Sequence, residues 1–497
     1  MDSSYLTWII FLPLAGAIIV ALISNNNSKL IKYISAIFTL IPLILAIVLF
    51  VSFDRSPAAA GVMQFEQKAA WINSINAFYH VGVDGLSLPL VLLTTFLGFI
   101  VVLISWKTNL RVREYFPWLL LLETSILGVF CSLDLLLFFI FWEVEIIPMY
   151  FLISVWGSGR KEYSAIKYVI FTLFGSAFML AGILSVYFTT GSLSMVELTQ
   201  NGLGMVQSIM PAAPIFFLLL TGFAVKLPVV PLHTWLPDAH TDAPTAGSVM
   251  LAGALIKMGG YGMIRLCVSF FPQVARDYAP LLVTLAMISV LYGAAVTLRQ
   301  TDIKRLIAYS SVSHMGFVLL GVFALGEVSL TGAALQMVSH GLLTGLMFAM
   351  AGLVIHNVEE RNLNNLGGLA RQLPIMTVVF SVAGLGSLGL PLTSGFAAEF
   401  LIFTGSFSST IVNSIEVFTL LSVLGVVLSA GYILWMIQRT FYGPAQEQYN
   451  HVKDADVLER VYMFAFIALI MLVGIYPAIL TDVIKLGISP IMGLIGG

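Results

Sequence analysis

Long apolar runs separated by short polar loops make up most of the chain. A membrane-spanning helix needs roughly 20 apolar residues, and fourteen runs are close to that length or longer. We therefore predict an all-α polytopic membrane protein with about fourteen transmembrane helices. The predicted spans are 6–23, 31–52, 86–106, 116–131, 134–155, 164–188, 213–229, 243–268, 279–298, 305–325, 331–355, 374–404, 416–438 and 459–480.

Lysine and arginine residues are distributed unevenly between the two sides of the predicted membrane. Of the 23, sixteen lie in loops or at span ends on one side and four lie on the other side; the remaining three, Lys226, Lys257 and Arg265, lie well inside predicted spans. Cytoplasmic loops carry an excess of basic residues, so we expect both termini to lie outside. The sixteen are Lys29, Lys32, Lys107, Arg111, Arg113, Arg160, Lys161, Lys167, Arg299, Lys304, Arg305, Arg361, Arg371, Arg439, Lys453 and Arg460; the four are Arg55, Lys68, Arg276 and Lys485.

Two of the predicted spans are interrupted by proline. Pro228 follows Lys226 closely and has no N–H, so it cannot donate to the carbonyl of Ala224. The second interruption, residues 389–395, contains Pro391. Broken helices are tolerated in a membrane only where protein or water satisfies the backbone, so each break indicates a polar interior.

The two breaks also indicate a weak internal repeat. They are 163 residues apart, and a shift of 116–268 by this distance gives 279–431. Each unit would hold five helices, an odd number, so we predict that the two repeats are inverted, as in many transporters. The predicted organisation is three N-terminal spans in 1–115, a first repeat in 116–268, a second in 279–441, and a C-terminal helix with a short tail in 459–497.

Composition supports a membrane protein and limits its chemistry. Hydrophobic residues make up 59% and charged residues 10% of the chain, whereas soluble domains carry about 25% charged residues. The two cysteines, Cys131 and Cys267, lie in apolar runs and show no metal-ligand spacing. The opening run has no basic n-region or small-residue cleavage site, so we predict no cleavable signal peptide.

A row of titratable side chains lies inside the predicted spans. Each would cost at least about 2.5–3.5 kcal/mol at the centre of a lipid-facing helix, so we expect these groups to face the interior. Lysines can also extend to the membrane surface, but Lys226 and Lys257 lie well inside their runs. The candidate residues are Glu123, Glu143, Lys226, Lys257, His314, His340 and Glu399.

These residue types suit proton transfer. Burial disfavours the charged form of a lysine, and a nearby carboxylate favours it. A glutamate–lysine pair that opens and closes can therefore load and release a proton. Histidine titrates near neutral pH and can pass a proton through its ring. We expect internal waters to connect groups that are too far apart for direct transfer.

Some assignments remain open at this stage. Glu143 and Glu145 are two residues apart, or roughly 200° around a helix, so both cannot face one partner. We favour Glu143 as the acid beside Lys226. A structural hydrogen bond is the alternative role for His340, and a structural contact with another helix is the alternative for Glu123.

Polar residues near two helix ends have simpler interpretations. Asp84 precedes a predicted span and is expected to cap it. Four residues follow the first break, and we favour capping and a hydrated vestibule over a metal site for them. They are His233, Asp238, His240 and Asp242.

Four motifs closely resemble the antiporter-like subunits of respiratory complex I, of the subunit M type. They are FWE at 141–143 with PMY at 148–150, KLP at 226–228 with HTWLPDAH at 233–240, DIKRLIAYSSVSHMG at 302–316, and SGF at 394–396 with EF at 399–400. The resemblance covers nearly the whole chain, and motifs of this length are specific. It implies fourteen helices and a proton channel.

The resemblance also implies roles for individual residues. Glu143 and Lys226 would form the loading pair, Lys257 and His314 the central relay, and Glu399 the exit group. A glutamate at the exit is typical of subunit M. Glu145 departs from the family, in which an apolar residue is commoner at this position.

The implied function is proton translocation within a respiratory NADH-quinone oxidoreductase, a translocase in which this chain carries no redox site. NADH, FMN, iron–sulfur clusters and quinone are expected in partner subunits, among them sister antiporter-like subunits. We expect an integral protein of the bacterial cytoplasmic membrane, in contact with lipid and with no nucleic-acid partner. Alternatives are a multi-subunit cation/proton antiporter, a membrane-bound hydrogenase or a structural scaffold, but a scaffold leaves the buried charges unexplained.

Overall fold

The computed structural model describes residues 4–24, 27–201, 210–444 and 446–496 and is mostly helical, as predicted. In this part of the chain, thirteen helices are long and apolar enough to cross a membrane. Every predicted span falls on a helix. The first helices are α1 (Tyr5–Leu22), α2 (Ser28–Ser52), α3 (Leu88–Ile104), α4 (Val112–Cys131), α5 (Leu135–Val144), α6 (Ile146–Trp156), α7 (Lys161–Thr190), α8 (Met195–Asn201), α9 (Ala212–Lys226) and α10 (Trp235–Asp242).

The second part of the chain continues the bundle. Two π-helical segments, Leu251–Leu255 and Met263–Val268, join α11 and α12 into one span, Thr245–Val268. The helices are α11 (Thr245–Met250), α12 (Lys257–Gly262), α13 (Pro272–Thr297), α14 (Ile303–Phe323), α15 (Glu327–Val358), α16 (Pro374–Ser387), α17 (Ser394–Phe407), α18 (Ile415–Phe441), α19 (Val457–Ile475) and α20 (Ala478–Ile495).

The long predicted loop 53–85 contains a β-hairpin. Strand β1 (Gln64–Ile72) pairs antiparallel with β2 (Ala77–Val83). The start of α1 meets this hairpin, because the Thr7 hydroxyl donates to Gln67 Oε1 at 2.5 Å and lies 2.8 Å from the Tyr79 hydroxyl. We call this end of the bundle the hairpin face.

Helix α20 also lies on the hairpin face, where the sequence predicted only a short tail. The Gly61 N–H donates to Leu486 O at 3.0 Å, and the Ser489 hydroxyl donates to Glu327 Oε1 at 2.9 Å. Both partners belong to segments at this face, so α20 runs along the face and does not cross the bundle. Its buried residues recur at helical spacing, as in interfacial helices: Leu480, Thr481, Val483, Ile484, Gly487, Ile488, Ile491 and Ile495.

The opposite end of the bundle carries most of the predicted basic loops, and we call it the basic face. Lys107 Nζ lies 2.8 Å from Asp456 Oδ2 and 2.6 Å from Glu459 Oε1. Lys32 Nζ donates to the carbonyl of Trp106 at 2.7 Å. These contacts join loops that are distant in sequence.

Both predicted helix breaks are present. At the first, the Val229 N–H donates to the Ala224 carbonyl at 2.9 Å, so the carbonyl that Pro228 cannot serve is bonded one residue later. At the second, between α16 and α17, the Leu390 N–H donates to Leu385 O at 3.0 Å. The division into two inverted repeats remains a prediction.

Candidate functional site

A fully buried ion pair joins Lys226, the last residue of α9, to Glu145. Lys226 Nζ bonds to Glu145 Oε1, and the two side chains are 1% and 0% exposed. The other carboxylate oxygen accepts a hydrogen bond of 2.6 Å from the Tyr168 hydroxyl of α7. The ammonium also lies 5.3 Å from the Trp142 ring centroid, within the range of a cation–π contact. Lys226 therefore does not extend to the membrane surface. We call Lys226 and Glu145 the lysine pair.

A helix break explains why Glu145 faces α9. Helix α5 ends at Val144 and α6 begins at Ile146, so Glu145 occupies the junction. Pro148 has no N–H to donate to the carbonyl of Val144, which interrupts the helical bonding at this point. The predicted pairing of Lys226 with Glu143 is therefore wrong.

Glu143 lies on the flank of α5 and is partly exposed. Its Oε1 is buried and has no hydrogen-bond partner among the described residues. Lys226 and Glu145 both act on it electrostatically, and Ser176 of α7 lies beside it. The two acids thus point to different sides, as predicted, but with the opposite assignment.

Glu123 of α4 packs against α3. Its side chain is buried, and neither carboxylate oxygen has a hydrogen-bond partner in the described residues. Gly98 of α3 makes the site possible, because a Cβ there would lie 2.2 Å from Glu123 Cδ. The structure does not bring Glu123 into contact with the other candidates, and its functional role stays a prediction.

Lys257 lies between the two π-helical segments of the span Thr245–Val268. π-Helical turns are rare and frequently occur at functional sites. The Lys257 ammonium donates to the carbonyl of Ala252, and Nζ lies 2.6 Å from His340 Nδ1. Because an ammonium has no acceptor, His340 Nδ1 accepts from Lys257 whenever the lysine is charged.

His340 connects Lys257 to the remaining candidates. Its ring centroid lies 5.6 Å from that of His314. His314 Nε2 is 3.2 Å from the Ser387 hydroxyl, and His314 Nδ1 is 3.3 Å from Glu399 Oε1. Lys257, His340, His314 and Glu399 therefore form a series of buried neighbours, which we call the central row. The sequence predicted its members but not the direct Lys257–His340 contact.

His240 is a polar core residue that the sequence analysis assigned to a hydrated loop. It lies in α10, every residue of which is buried. The imidazole stacks on Phe348 of α15 at 4.7 Å and an interplanar angle of 6°. Neither ring nitrogen has a hydrogen-bond partner among the described residues. The motif around His240 could be recognised in the sequence, but the burial of α10, which carries it, could not be predicted.

Ionic contacts hold α10 at the basic face. Lys167 Nζ lies 2.7 Å from Asp238 Oδ2, and the Ser164 hydroxyl donates to Asp242 Oδ2 at 2.6 Å. The described part of the chain contains no group of three or more His, Cys, Asp or Glu residues that could hold a metal ion. Through these contacts with Lys167 and Ser164, the acids that follow the first break anchor α10 to α7.

A second buried ion pair lies near the hairpin face. Asp84 Oδ1 accepts from the N–H groups of Leu86 and Ser87 and lies 2.6 Å from Arg265 Nη2. Asp84 therefore caps the turn that leads into α3, and not α3 itself, which begins at Leu88. Burial by itself raises the pKa of Asp84. The Arg265 guanidinium and the two backbone N–H groups outweigh burial and hold the pKa below its ordinary value.

These features define a class of membrane protein in which titratable side chains run through a helical bundle beside interrupted helices. Charged residues in such positions usually face one another or a hydrated cavity and mark pathways for ions or protons. The lysine pair and the central row together hold two amines, two imidazoles and two carboxylates away from lipid.

The chain belongs to the NADH:quinone oxidoreductase/Mrp antiporter transmembrane family, whose model matches residues 132–428. It is 37% identical to NADH-quinone oxidoreductase subunit M of Rhodobacter capsulatus, over 97% of this chain and 95% of that protein. It is also 37% identical to NADH-ubiquinone oxidoreductase chain 4 of Arabidopsis thaliana, over 97% of this chain and 96% of that one. The resemblance found in the motifs is confirmed.

Solved structures share the fold. A chain of respiratory complex I from Thermus thermophilus with bound NADH is 26% identical and superposes with a TM-score of 0.87 over 99% of this chain and 100% of that one. A chain of the Mrp complex from a Dietzia species superposes with a TM-score of 0.86 over 100% and 99% of the two chains. At 19% identity, the second similarity shows the fold alone.

Proposed function

We propose that this chain is the M-type antiporter-like subunit of a respiratory NADH-quinone oxidoreductase and moves protons across the membrane while partner subunits reduce quinone. Two relatives that are 37% identical to this chain are named subunit M and chain 4, and the similarity extends over nearly the whole length of each. The observation that carries the proposal is the buried lysine pair beside the central row. A scaffold would gain nothing from titratable groups that are costly to bury in a membrane.

In the proposed cycle, the lysine pair controls loading. While Lys226 is bound to Glu145, the carboxylate stabilises the ammonium. Opening of the pair removes that counter-charge, so the lysine gives up its proton more readily. Transfer onward needs donors and acceptors within hydrogen-bond reach or joined by one water, and we assign internal waters to the gap between Lys226 and Lys257.

The central row then carries the proton towards its exit. Lys257 can pass a proton to His340 through the contact already present. Histidine accepts at one ring nitrogen and releases from the other, so His340 can serve His314 in turn. Glu399, beside His314, is the proposed exit group. His240, buried beside Phe348 near the basic face, is the proposed link to that side.

We propose that the basic face lies in the cytoplasm and the hairpin face outside, in a bacterial cytoplasmic membrane. The excess of lysine and arginine in one set of loops supports this orientation. The start of α1 contacts the hairpin, and α20 lies along the same face. Both ends of the chain would therefore lie outside.

Electron transfer is assigned to partner subunits, which would hold NADH, FMN, iron–sulfur clusters and quinone. A cluster of the common type needs four cysteine thiolates, and this chain has two cysteines. Both are buried and free. The proposed partners are the other membrane subunits of the complex, including sister antiporter-like subunits, within the lipid bilayer and without nucleic acid.

The second candidate is a subunit of a cation/proton antiporter or membrane-bound hydrogenase. The Mrp complex shares the fold, but at 19% identity the likeness goes no further. The much higher identity to oxidoreductase subunits favours the first candidate.

Purification of the intact complex through a tag on this chain would test the proposal. We expect NADH-oxidising and quinone-binding subunits to co-purify. Lys226→Ala should reduce NADH-driven pumping in membrane vesicles about tenfold or more, because alanine cannot take up and release a proton in place of the lysine. Native electrophoresis should show that the complex still assembles.

Lys485→Ala is the matched control, because Lys485 is exposed on α20. It should pump as the parent does. An assembled Lys226→Ala complex with normal pumping would refute the proposed role of the lysine pair. Co-purification of antiporter subunits alone would favour the second candidate.

A further inference from the structure

Three buried side chains lie between Lys257 and the hairpin face, and the proposed proton path does not use them. They are Asp84, Arg265 and Tyr261, which we call the arginine cluster. We infer that this cluster is a proton barrier, which stops protons that enter at the hairpin face from reaching Lys257 without passing Glu399. The inference rests on the proposed function, because it requires that Lys257 carries protons.

The position of the cluster follows from the order of residues along one span. Lys257 lies near the middle of the buried span Thr245–Val268, Tyr261 lies one helical turn further on, and Arg265 lies one turn beyond Tyr261. At about 1.5 Å per residue, Arg265 is about 12 Å from Lys257 along the span. Asp84, which binds Arg265, directly follows strand β2 and so lies at the hairpin face. A proton that moved along this span from the hairpin face to Lys257 would therefore meet the cluster.

The hydrogen bonds of the cluster do not suit proton transfer. Arg265 Nη2 donates to Asp84 Oδ1 at 2.6 Å, and Arg265 Nε donates to the Tyr261 hydroxyl at 3.3 Å. The Tyr261 hydroxyl donates in turn to the Phe130 carbonyl at 3.4 Å. An arginine side chain has donors only and keeps its proton in proteins, and a backbone carbonyl has no proton to pass on. This chain of bonds therefore contains a member that accepts no proton and ends at a group that releases none.

The charge of the guanidinium opposes proton entry as well. Because Nη2 bonds to Asp84 and Nε bonds to Tyr261, the guanidinium lies between the carboxylate and the turn that carries Lys257. A fixed arginine charge can exclude protons and other cations from a membrane pathway. The side chains of Arg265 and Asp84 are 7% and 4% exposed, so water screens this charge little. Asp84 and Tyr261 are thus positioning residues for Arg265.

A barrier at this position keeps proton flow coupled. In the proposed orientation, the proton gradient drives protons from the hairpin face back towards the basic face. A proton that reached Lys257 directly would bypass His314 and Glu399 and could return without any link to quinone reduction. With the route at Arg265 blocked, Glu399 remains the exchange group on that side.

Passive proton flux into liposomes that contain the intact complex would test the barrier. A potassium diffusion potential would drive the protons without NADH, and a pH-sensitive dye inside the liposomes would report them. Both charges are removed together, as Asp84→Asn with Arg265→Gln, because removing one partner would leave the other buried and unpaired. In the assembled double variant the flux should rise about tenfold, because no fixed positive charge then opposes the proton.

Two further variants show whether the leak is specific. Lys257→Met, added to the double variant, should return the flux to the parental level, because a thioether cannot carry a proton in place of the lysine. Arg111→Gln with Glu114→Gln is the matched control, because it neutralises an exposed ion pair on the basic face. The control should be as tight as the parent.

Each outcome bears on the barrier. Parental flux in the assembled double variant overturns it and leaves Asp84 and Arg265 as a structural contact. A high flux that persists after Lys257→Met also overturns it, because the leak would then follow another route. Tyr261→Phe keeps the packing and both charges but frees one side of the guanidinium, so its flux should rise by less than that of the double variant. Parental flux in Tyr261→Phe overturns the barrier if the double variant does not assemble.

The leak assay uses no NADH and so separates this inference from the proposed function. Parental flux in the double variant overturns the barrier alone, and the proposed function stands if Lys226→Ala loses pumping. Normal pumping by an assembled Lys226→Ala complex would instead remove the proposed function, whatever the passive flux.

Discussion

His340 offers the sharpest test of the central row, because its two ring nitrogens have different partners. Nδ1 lies 2.6 Å from Lys257 Nζ, whereas Nε2 is buried and unbonded among the described residues. Asparagine places a carbonyl oxygen close to the position of Nδ1 but has no group that can take up a proton and release it on the other side. His340→Asn therefore keeps the acceptor for Lys257 and removes the relay.

We expect His340→Asn to assemble normally and to pump at least about tenfold more slowly than the parent. His340→Ala removes the acceptor as well and leaves the Lys257 ammonium with the Ala252 carbonyl as its described partner. A hydrogen bond to a charged group contributes about 1.5–3 kcal/mol, so alanine should also destabilise the subunit by about that amount. NADH-driven pumping in vesicles and thermal unfolding of the purified complex would measure the two effects.

The comparison separates a relay from a structural hydrogen bond. If His340 only supports the bundle, asparagine should restore both stability and pumping. Normal pumping by His340→Asn would therefore refute the relay assignment, while the Lys257–His340 contact would remain. Loss of pumping in both variants, with loss of stability in alanine alone, is the result that the geometry predicts.

Two further predictions concern the membrane orientation and the second buried pair. A reporter fused after α20 should be active outside the cytoplasm, and activity only in the cytoplasm would contradict the assigned orientation. Asp84→Asn should destabilise the subunit by about 3–5 kcal/mol, because Arg265 stays buried without its counter-charge. Since the pKa of folded Asp84 lies below its ordinary value, the pair should stabilise the subunit above about pH 4 and lose that contribution only as pH falls through the folded pKa. The unfolding temperatures of the parent and of Asp84→Asn, compared across a range of pH, would measure the contribution of the Asp84–Arg265 pair to stability.

Most of the helical bundle could be predicted from the apolar runs, because a lipid-facing helix must be apolar over its full length. Helix α20 was missed for the opposite reason. Asp482 and Lys485 are exposed on one side of it while apolar residues recur on the other, which is the pattern of an interfacial helix. The helical spacing from Leu480 to Ile495 could have revealed it.

The members of the site were also predictable, because a buried charge in a membrane is conspicuous, but their contacts were not. Glu145, and not Glu143, pairs with Lys226 because Glu145 lies at the junction between α5 and α6. The assumption of one regular helix could not have predicted this pairing. His240 points inwards because α10 turns into the bundle. The spacing of apolar and polar residues around His240 does not predict this turn. Which buried side chains contact each other across helices depends on how the helices pack, and the apolar run that contains each residue does not determine it.

The contact of α20 with the hairpin face has a consequence for biogenesis. Gly61 bonds to Leu486, and a Cβ on Gly85 would lie 1.9 Å from the Val483 carbonyl, so the backbones of early and late segments touch. A chain emerging from the ribosome forms its N-terminal elements first. The surface of the hairpin therefore stays open until α20 has been made; in the proposed orientation, this open surface lies outside the cytoplasm. A chain truncated just before α20 would keep the helices of the bundle but leave this surface of the hairpin uncovered.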